Sequence, residues 1–370
     1  MRVLLVDSSD RGGIAAYTRS LCDGLDALGI DARICAPAGA ERGSTPLAEH
    51  RWGPGFDSQG AVRRKARLAF ELAAAPASLG RALRALQPDV VHFQTEVMAR
   101  LEPVLLRLVH RSAAVVVTAH DPIPHEGGAR ILSRQAARWQ QADAVIIHGH
   151  EPLRLVQSSA GNALVRVIPS DLLVGNPRAK RMGREAARQR LGIDQEVGDK
   201  PFALLSGLLR PYKGLDLMAS AWPRVLKELP DARLFVVGQA YGAAADSLAE
   251  LQSKPGISVI EGFIPEDEVE PWLEAANVVL LPYSHGSHSQ VLHRAAEMGT
   301  PVIASPPLAE ETHRLSAGLA IPLDPELWAE TIATALARGS LSEPPLPSRG
   351  GTAVATARLY EEILVSRREA

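Results

Sequence analysis

The sequence predicts an α/β protein built from two doubly wound parallel sheets, and three observations carry that prediction. Short apolar runs of strand character recur from Arg2–Val6 to Ala317–Ile321, separated by segments whose apolar residues keep helical spacing. Small residues stand at the strand-to-helix corners, as in Gly12-Gly13 and Ser284–Ser289. A basic, weakly apolar stretch, Asp171–Lys200, then divides the chain into two such series.

In order, Arg2–Val6 reads as a buried strand. The loop Ser8–Gly13 starts a helix with Ile14, Ala15, Leu21, Leu25 and Leu28 on one face, ended by Gly29, and Asp31–Ala36 is the second strand. Strands follow at Val90–Gln94, Ala114–Ala119, Ala144–His148 and Val165–Ile168, which closes a first domain over residues 1–170. Residues 171–200 read as a linker with one short helix. The second domain, 201–345, alternates strands at Phe202–Ser206, Arg233–Val237, Ile257–Ile260, Asn277–Leu281, Pro301–Ala304 and Ala317–Ile321 with helices at Leu215–Leu229, Ala243–Gln252, Glu266–Ala275 and Pro325–Ala337. A further helix opens near Gln290 and stops at Gly299, so small residues precede its free N–H groups and the positive end of its dipole. That is a natural seat for a phosphate; the alternative is an ordinary βαβ turn. A proline-rich break, Ser342–Ser348, precedes a last helix at Thr352–Arg368. Two such sheets are expected to face each other across a cleft at their carboxyl strand edges, where open α/β sheets bind ligands.

Composition narrows the function. The 370 residues carry a net charge of −2 and are only 4% aromatic, so neither a basic field nor a base-stacking platform points to nucleic acid. Met1 runs directly into a strand and no apolar run approaches the ~20 residues of a membrane span, so a cytoplasmic protein is expected. The helix expected over 61–86 sets Arg63, Arg64, Lys65, Arg67, Arg81 and Arg84 against the single acid Glu71. Such a face is either solvated or a peripheral contact with an anionic membrane surface. The two cysteines, Cys22 and Cys35, match no metal or redox spacing. Neither GxGxxG nor GxSxG is present, which argues against nicotinamide and nucleophile-elbow chemistry. His285, His288 and His293 have no carboxylate or thiolate beside them in sequence, so solvated positions are expected rather than a metal site.

The second half carries a specific succession of motifs: SGLLRPYKGLDLMASAW, DARLFVVGQA, ISVIEGFIPEDEVEPWLEAANVVLLPYS and AAEMGTPVIAS. The first half adds RGGIAAYTRSLCDGLDALGIDARICAP, PDVVHFQ and VTAHDPIPH. Together these resemble glycosyltransferase family 4, on the GT-B architecture of two Rossmann-like domains, over nearly the whole chain. The resemblance implies transfer of a sugar from a nucleoside diphosphate sugar to an acceptor hydroxyl, with retention at the anomeric carbon and no cofactor or metal. It places the donor against the C-terminal domain and the acceptor against the N-terminal one. It also implies that the last helix, 352–370, packs back onto the N-terminal domain. The alternative is a weakened relative that kept the fold as a donor-binding or partner-binding scaffold.

The same resemblance assigns roles to residues. Cleaving the sugar–diphosphate bond leaves charge on the departing phosphate, which fixed donors and cations stabilise. Lys213, beside Gly214 at the head of a helix, is placed to do this, with Arg210 as a second cation on the same loop. The family's arginine falls on Leu208, and its two glutamates, eight positions apart, fall on Gly286 and Arg294. Backbone amides at Ser287, Ser289, Gln290 and Val291 are expected to take over, with Arg294 paired to Glu297 or reaching a neighbouring strand. Gly12 and Gly13 resemble the family's glycine loop and are expected to be donor-binding, a missing Cβ letting backbone approach the phosphate and acceptor. His120 resembles a histidine that hydrogen-bonds the transferred sugar, with Asp121 and His125 beside it on the acceptor side. The alternative for His120 is a structural role.

Overall fold

Among the described residues, twelve strands form two six-stranded sheets, and the strand pairs within each are parallel. This computed structural model describes residues 1–9, 12–36, 77, 79–96, 102–123, 128–170, 181–286, 288–337 and 351–369. Parallel neighbours require a crossover on a face of the sheet, so the central strands are covered on both sides. That is why β3 (Val90–Phe93), β4 (Ala114–Thr118), β5 (Ala144–Ile147), β7 (Phe202–Ser206) and β10 (Val278–Leu281) are buried at every residue.

The chain divides into two compact units, Met1–Val174 with Ser348–Ala370, and Gly175–Pro347. In the first, the order is β2-β1-β3-β4-β5-β6, with β1 at Arg2–Val6, β2 at Asp31–Cys35 and β6 at Leu164–Val167. Helix Gly13–Ala27 buries Tyr17, Leu21, Cys22 and Leu25 against one face. Burial pushes the thiols of Cys22 and Cys35 up to about 12, the nearby Asp23 and Asp26 adding to the effect at Cys22, so both stay protonated. Helix Gly351–Glu369 joins the same layer. Its Tyr360 hydroxyl lies 2.6 Å from Nδ1 of the fully buried His92, Thr352 donates to the Pro169 carbonyl at 2.6 Å, and Arg367 pairs with Asp143 at 3.0 Å.

The second unit has the order β12-β11-β10-β7-β8-β9, with β8 at Arg233–Gly238, β9 at Ile257–Glu261, β11 at Val302–Ala304 and β12 at Gly318–Ala320. One face is packed with Trp222, Leu234, Trp328 and Ile332; the other holds Phe235, Trp272, Leu292 and Leu308. Part of the stretch expected to be linker belongs to this unit. Helix Arg184–Arg190 and the turn Asp194–Val197 bury Ala187 and Val197 completely, and Arg188 donates to the carbonyls of Gly198 and Ala275 at 2.5 and 3.3 Å and to Asn277 at 3.3 Å. Its basic residues hid an apolar edge, because Arg188 spends its charge on main-chain acceptors. The basic helix expected over 61–86 falls largely outside the described residues.

Candidate functional site

In the second unit β7 and β10 are neighbours, but the chain leaves them toward opposite edges of the sheet. The loops after their carboxyl ends therefore bound a switch-point crevice, the usual ligand site of an open parallel sheet. One loop carries Arg210, Lys213 and Gly214; the other runs from Pro282 to Ser289.

Lys213 ends the short 3₁₀ turn Pro211–Lys213 and is 7% exposed. Gly214 follows in the left-handed region at φ 73° and opens helix Leu215–Glu228. A Cβ there would stand 2.2 Å from the Pro282 carbonyl oxygen, so only glycine lets the two loops meet this closely. The contact delivers the Lys213 ammonium to the Tyr283 hydroxyl, 4.2 Å from the Tyr283 ring centroid and 5.8 Å from that of Tyr212. Burial pushes the Tyr283 phenol well above its ordinary range, so it stays protonated. An ammonium can only donate, so Tyr283 accepts from Lys213 and passes its own proton toward Ser289 Oγ at 3.3 Å. Arg210 is not part of this relay; its guanidinium lies 5.5 Å from the Tyr241 ring. Leu208 is half exposed.

Helix Gln290–Met298 begins where expected, and Ser289 caps it by accepting from the Leu292 amide at 3.3 Å. Its other donors are arranged differently from the expectation. The Ser289 amide donates to Glu311 Oε2 at 3.0 Å, so it is already committed. Among the described residues, no protein acceptor takes the amides of Gln290 and Val291. Ser287 lies outside the described residues.

Glu311 also corrects the reading of the histidines as solvated. Oε1 lies 2.7 Å from His288 Nδ1 and 2.5 Å from His293 Nε2, and all three side chains are buried. Burial opposes ionisation of Glu311, but the two histidines outweigh it and hold the carboxyl well below its usual range. Burial lowers His293 in turn, overriding the pull of Glu311. The carboxylate comes from helix Ala309–Arg314, beyond the next strand, so no sequence spacing around the histidines announces it. His285 stacks on Tyr212 at 4.9 Å instead. Arg294 pairs with Glu266, not Glu297, because its side chain turns toward helix Glu266–Ala275.

In the first unit, Gly12 caps helix Gly13–Ala27 at φ 85°. The corner beneath it is held by Asp7, which accepts from the Ser9 amide and the Thr18 hydroxyl at 2.8 Å and from Thr95 at 3.1 Å. Burial raises the Asp7 pKa against those hydrogen bonds. His120 follows β4 and is 8% exposed. It sits beside His148, at the end of β5, with Nδ1···Nε2 at 3.2 Å, and beside Gln94 at 3.3 Å, while the Tyr17 ring touches both imidazoles at 5.0 Å. Asp121 is exposed, and its carbonyl accepts from Gln135 at 3.1 Å. His125 lies outside the described residues. Sequence reading missed Tyr283, Glu311 and His148; of these only His148, closing a strand beside that of His120, left a readable trace.

Comparison with known proteins bears on the family and the fold. The family described as Glycosyltransferase Family 4 matches residues 11–170, and that described as Glycosyl transferases group 1 matches residues 200–338. The chain is similar to the D-inositol 3-phosphate glycosyltransferase of Streptomyces bingchenggensis, with 30% identity over 45% of this chain and 36% of the relative. The enzyme of the same name from Corynebacterium aurimucosum is 29% identical over 54% of this chain and 49% of its own length. The match thus spans less than half the length of these relatives. Among solved structures, Anabaena HepE in complex with UDP-glucose superposes with a TM-score of 0.67 at 15% identity, covering all of both chains. Sucrose-phosphate synthase from Thermosynechococcus elongatus gives 0.67 at 18%, covering 100% and 98%. These likenesses show the GT-B fold.

Proposed function

From the chain's membership in glycosyltransferase family 4, we propose that it transfers a sugar from a nucleoside diphosphate sugar to an acceptor hydroxyl, with retention at the anomeric carbon. The observation that carries this reading is the switch point of the second unit. There a buried lysine and the amides of Gln290 and Val291, which have no protein acceptor among the described residues, flank one crevice. A diphosphate needs cationic and N–H partners, and gains most from them as the glycosidic bond breaks and charge builds on the leaving oxygen. Lys213 supplies the cation, held in aim by Tyr283. Arg210 is a secondary candidate, Gly12 and Gly13 are assigned to the donor phosphate where it meets the acceptor, and His120, Asp121 and His125 to the transferred sugar and acceptor. The solved relative that holds UDP-glucose supports a nucleotide sugar as donor; retention is supported by the family resemblance.

A second reading, a donor-binding scaffold without turnover, is favoured by Gly286 and Arg294 standing where the resemblance expects carboxylates. One experiment separates the two. Purified chain is incubated with a panel of nucleoside diphosphate sugars, with and without sugar, inositol and lipid-linked acceptors, and release of nucleoside diphosphate is followed. An enzyme transfers the sugar or leaks it slowly to water. Binding without release, across the panel, supports the scaffold.

A further inference from the structure

Three hydrogen bonds run in series through the first unit. His148 Nδ1 lies 2.9 Å from the Ile168 carbonyl, His148 Nε2 lies 3.2 Å from His120 Nδ1, and His120 Nε2 lies 3.3 Å from the side-chain amide of Gln94. Each bond needs one proton. The Ile168 carbonyl can only accept, so Nδ1 of His148 must carry its proton. In a neutral ring, Nε2 of His148 is then a lone pair, and the next proton must come from Nδ1 of His120. That leaves Nε2 of His120 as an acceptor facing Gln94.

The Gln94 amide agrees with this direction once it is turned. With Oε1 toward His120, its Nε2 is a buried donor without a partner among the described residues. A half-turn of the amide points the N–H at His120 Nε2 and completes the series with both rings neutral. The other assignment keeps Oε1 toward His120 and needs three protons on two rings. One of these buried rings would then be a cation, a far larger penalty than an amide half-turn. Tyr17, edge-on to both rings at 5.0 Å, holds them in register.

We propose that His148 is a positioning residue that fixes His120 in the tautomer protonated on Nδ1, so that His120 Nε2 accepts a hydrogen bond from a hydroxyl of the transferred sugar. The proposal rests on the reading that His120 meets that sugar, and it adds a requirement: the sugar group at Nε2 must be a donor. With its amide turned, Gln94 fills that role. A sugar hydroxyl that displaces Gln94 takes the same lone pair, whereas a fluorine or an ether oxygen at that position does not.

The test uses the full chain labelled with ¹⁵N-histidine. Long-range ¹H–¹⁵N spectra distinguish a protonated ring nitrogen from a bare one, and His120→Gln identifies the His120 signals by their loss. Wild-type His120 is expected to be protonated on Nδ1; protonation on Nε2 overturns the proposal without any variant. His148→Phe should release His120 toward the Nε2–H form and lower kcat by about 10–100-fold, the range for losing a partner that fixes a histidine tautomer, with nucleoside diphosphate affinity unchanged. His148→Gln keeps an acceptor oxygen near the Nε2 position, so it should retain the Nδ1–H form and recover much of the turnover. An unchanged tautomer in a folded His148→Phe variant, or equal losses in the two variants, overturns the proposal. Absence of glycosyl transfer in the wild type sinks the functional reading instead and leaves the spectra to decide the tautomer.

Discussion

Replacing Gly214 by alanine tests how the phosphate crevice is built. Two terms oppose the new methyl group. At φ 73° the backbone lies in the left-handed region, which costs a residue with a Cβ about 1–2 kcal/mol. The unfolded chain loses freedom at the same time, which returns about 0.4–1 kcal/mol. Gly192 measures this balance alone, because it sits at φ 69° with nothing within 4 Å of its Cβ position. Gly192→Ala should therefore cost about 0–1.6 kcal/mol. At Gly214 the methyl also meets the Pro282 carbonyl at 2.2 Å and the proline ring at 2.9 Å, against main chain that closes a central strand. Overpacking of that kind adds about 1–3 kcal/mol. At about 2–4 °C per kcal/mol for a unit of this size, Gly214→Ala should melt several degrees below Gly192→Ala in calorimetry. It should also bind UDP or another nucleoside diphosphate more weakly, because Lys213 shifts with the corner. Equal melting of the two variants would refute the Pro282 contact. A clear melting difference with wild-type nucleotide affinity would detach Lys213 from the site.

Three further outcomes are expected. Lys213→Ala should weaken nucleoside diphosphate binding by about 10–100-fold in titration calorimetry, the worth of one charge-assisted hydrogen bond, and unchanged affinity removes the lysine from the site. His92 sits between Tyr360 and Thr118 with its pKa lowered to about 3, first by burial and then by Arg138 and His148. Its stabilisation is complete above the ordinary value of about 6.5 and is lost below it at up to ~1.4 kcal/mol per pH unit, so melting from pH 7.5 to 4.5 should be steeper for wild type than for His92→Gln; parallel curves contradict this. Arg294→Ala and Glu266→Ala should each destabilise by about 1–3 kcal/mol, sub-additively in the double variant, while nucleotide affinity stays near wild type; a large loss of affinity would make Arg294 a phosphate ligand.

Most of the fold was legible because its signals are local. Strand Phe202–Ser206 and helices Glu266–Ala275 and Pro325–Ala337 match their sequence-predicted bounds, since apolar period and terminating residues lie within each segment. The segment 184–197 was misread because its burial depends on Arg188 reaching carbonyls almost ninety residues away, which no local composition reports. The site divides the same way. Lys213 stood out from its Lys-Gly step at the head of a helix, Ser289 from the small-residue start of helix Gln290–Met298, and His120 from its place after a strand. Tyr283, Glu311 and Gln94 act through contacts closed only by the fold, and the partner of Arg294 was misassigned because a neighbouring helix outcompetes Glu297 on its own.

The commitment of the Ser289 amide changes how an anion must be held. A helix start offers four unpaired N–H groups. Here Glu311 takes the first of the loop's donors, Ser289 Oγ takes that of Leu292, and the helix itself takes that of His293 from the Ser289 carbonyl at 3.2 Å. Among the described residues the amides of Gln290 and Val291 remain, two adjacent donors for one phosphate group in the proposed reading. In the proposed reading a second phosphate is neutralised from elsewhere, and the buried Lys213 ammonium is the candidate for it. Glu311, held ionised by His288 and His293, keeps a fixed negative charge near the helix start. The same carboxylate orders the loop by its bond to the Ser289 amide, so this chain holds the helix start in shape with Glu311 where the family resemblance expects carboxylates at 286 and 294.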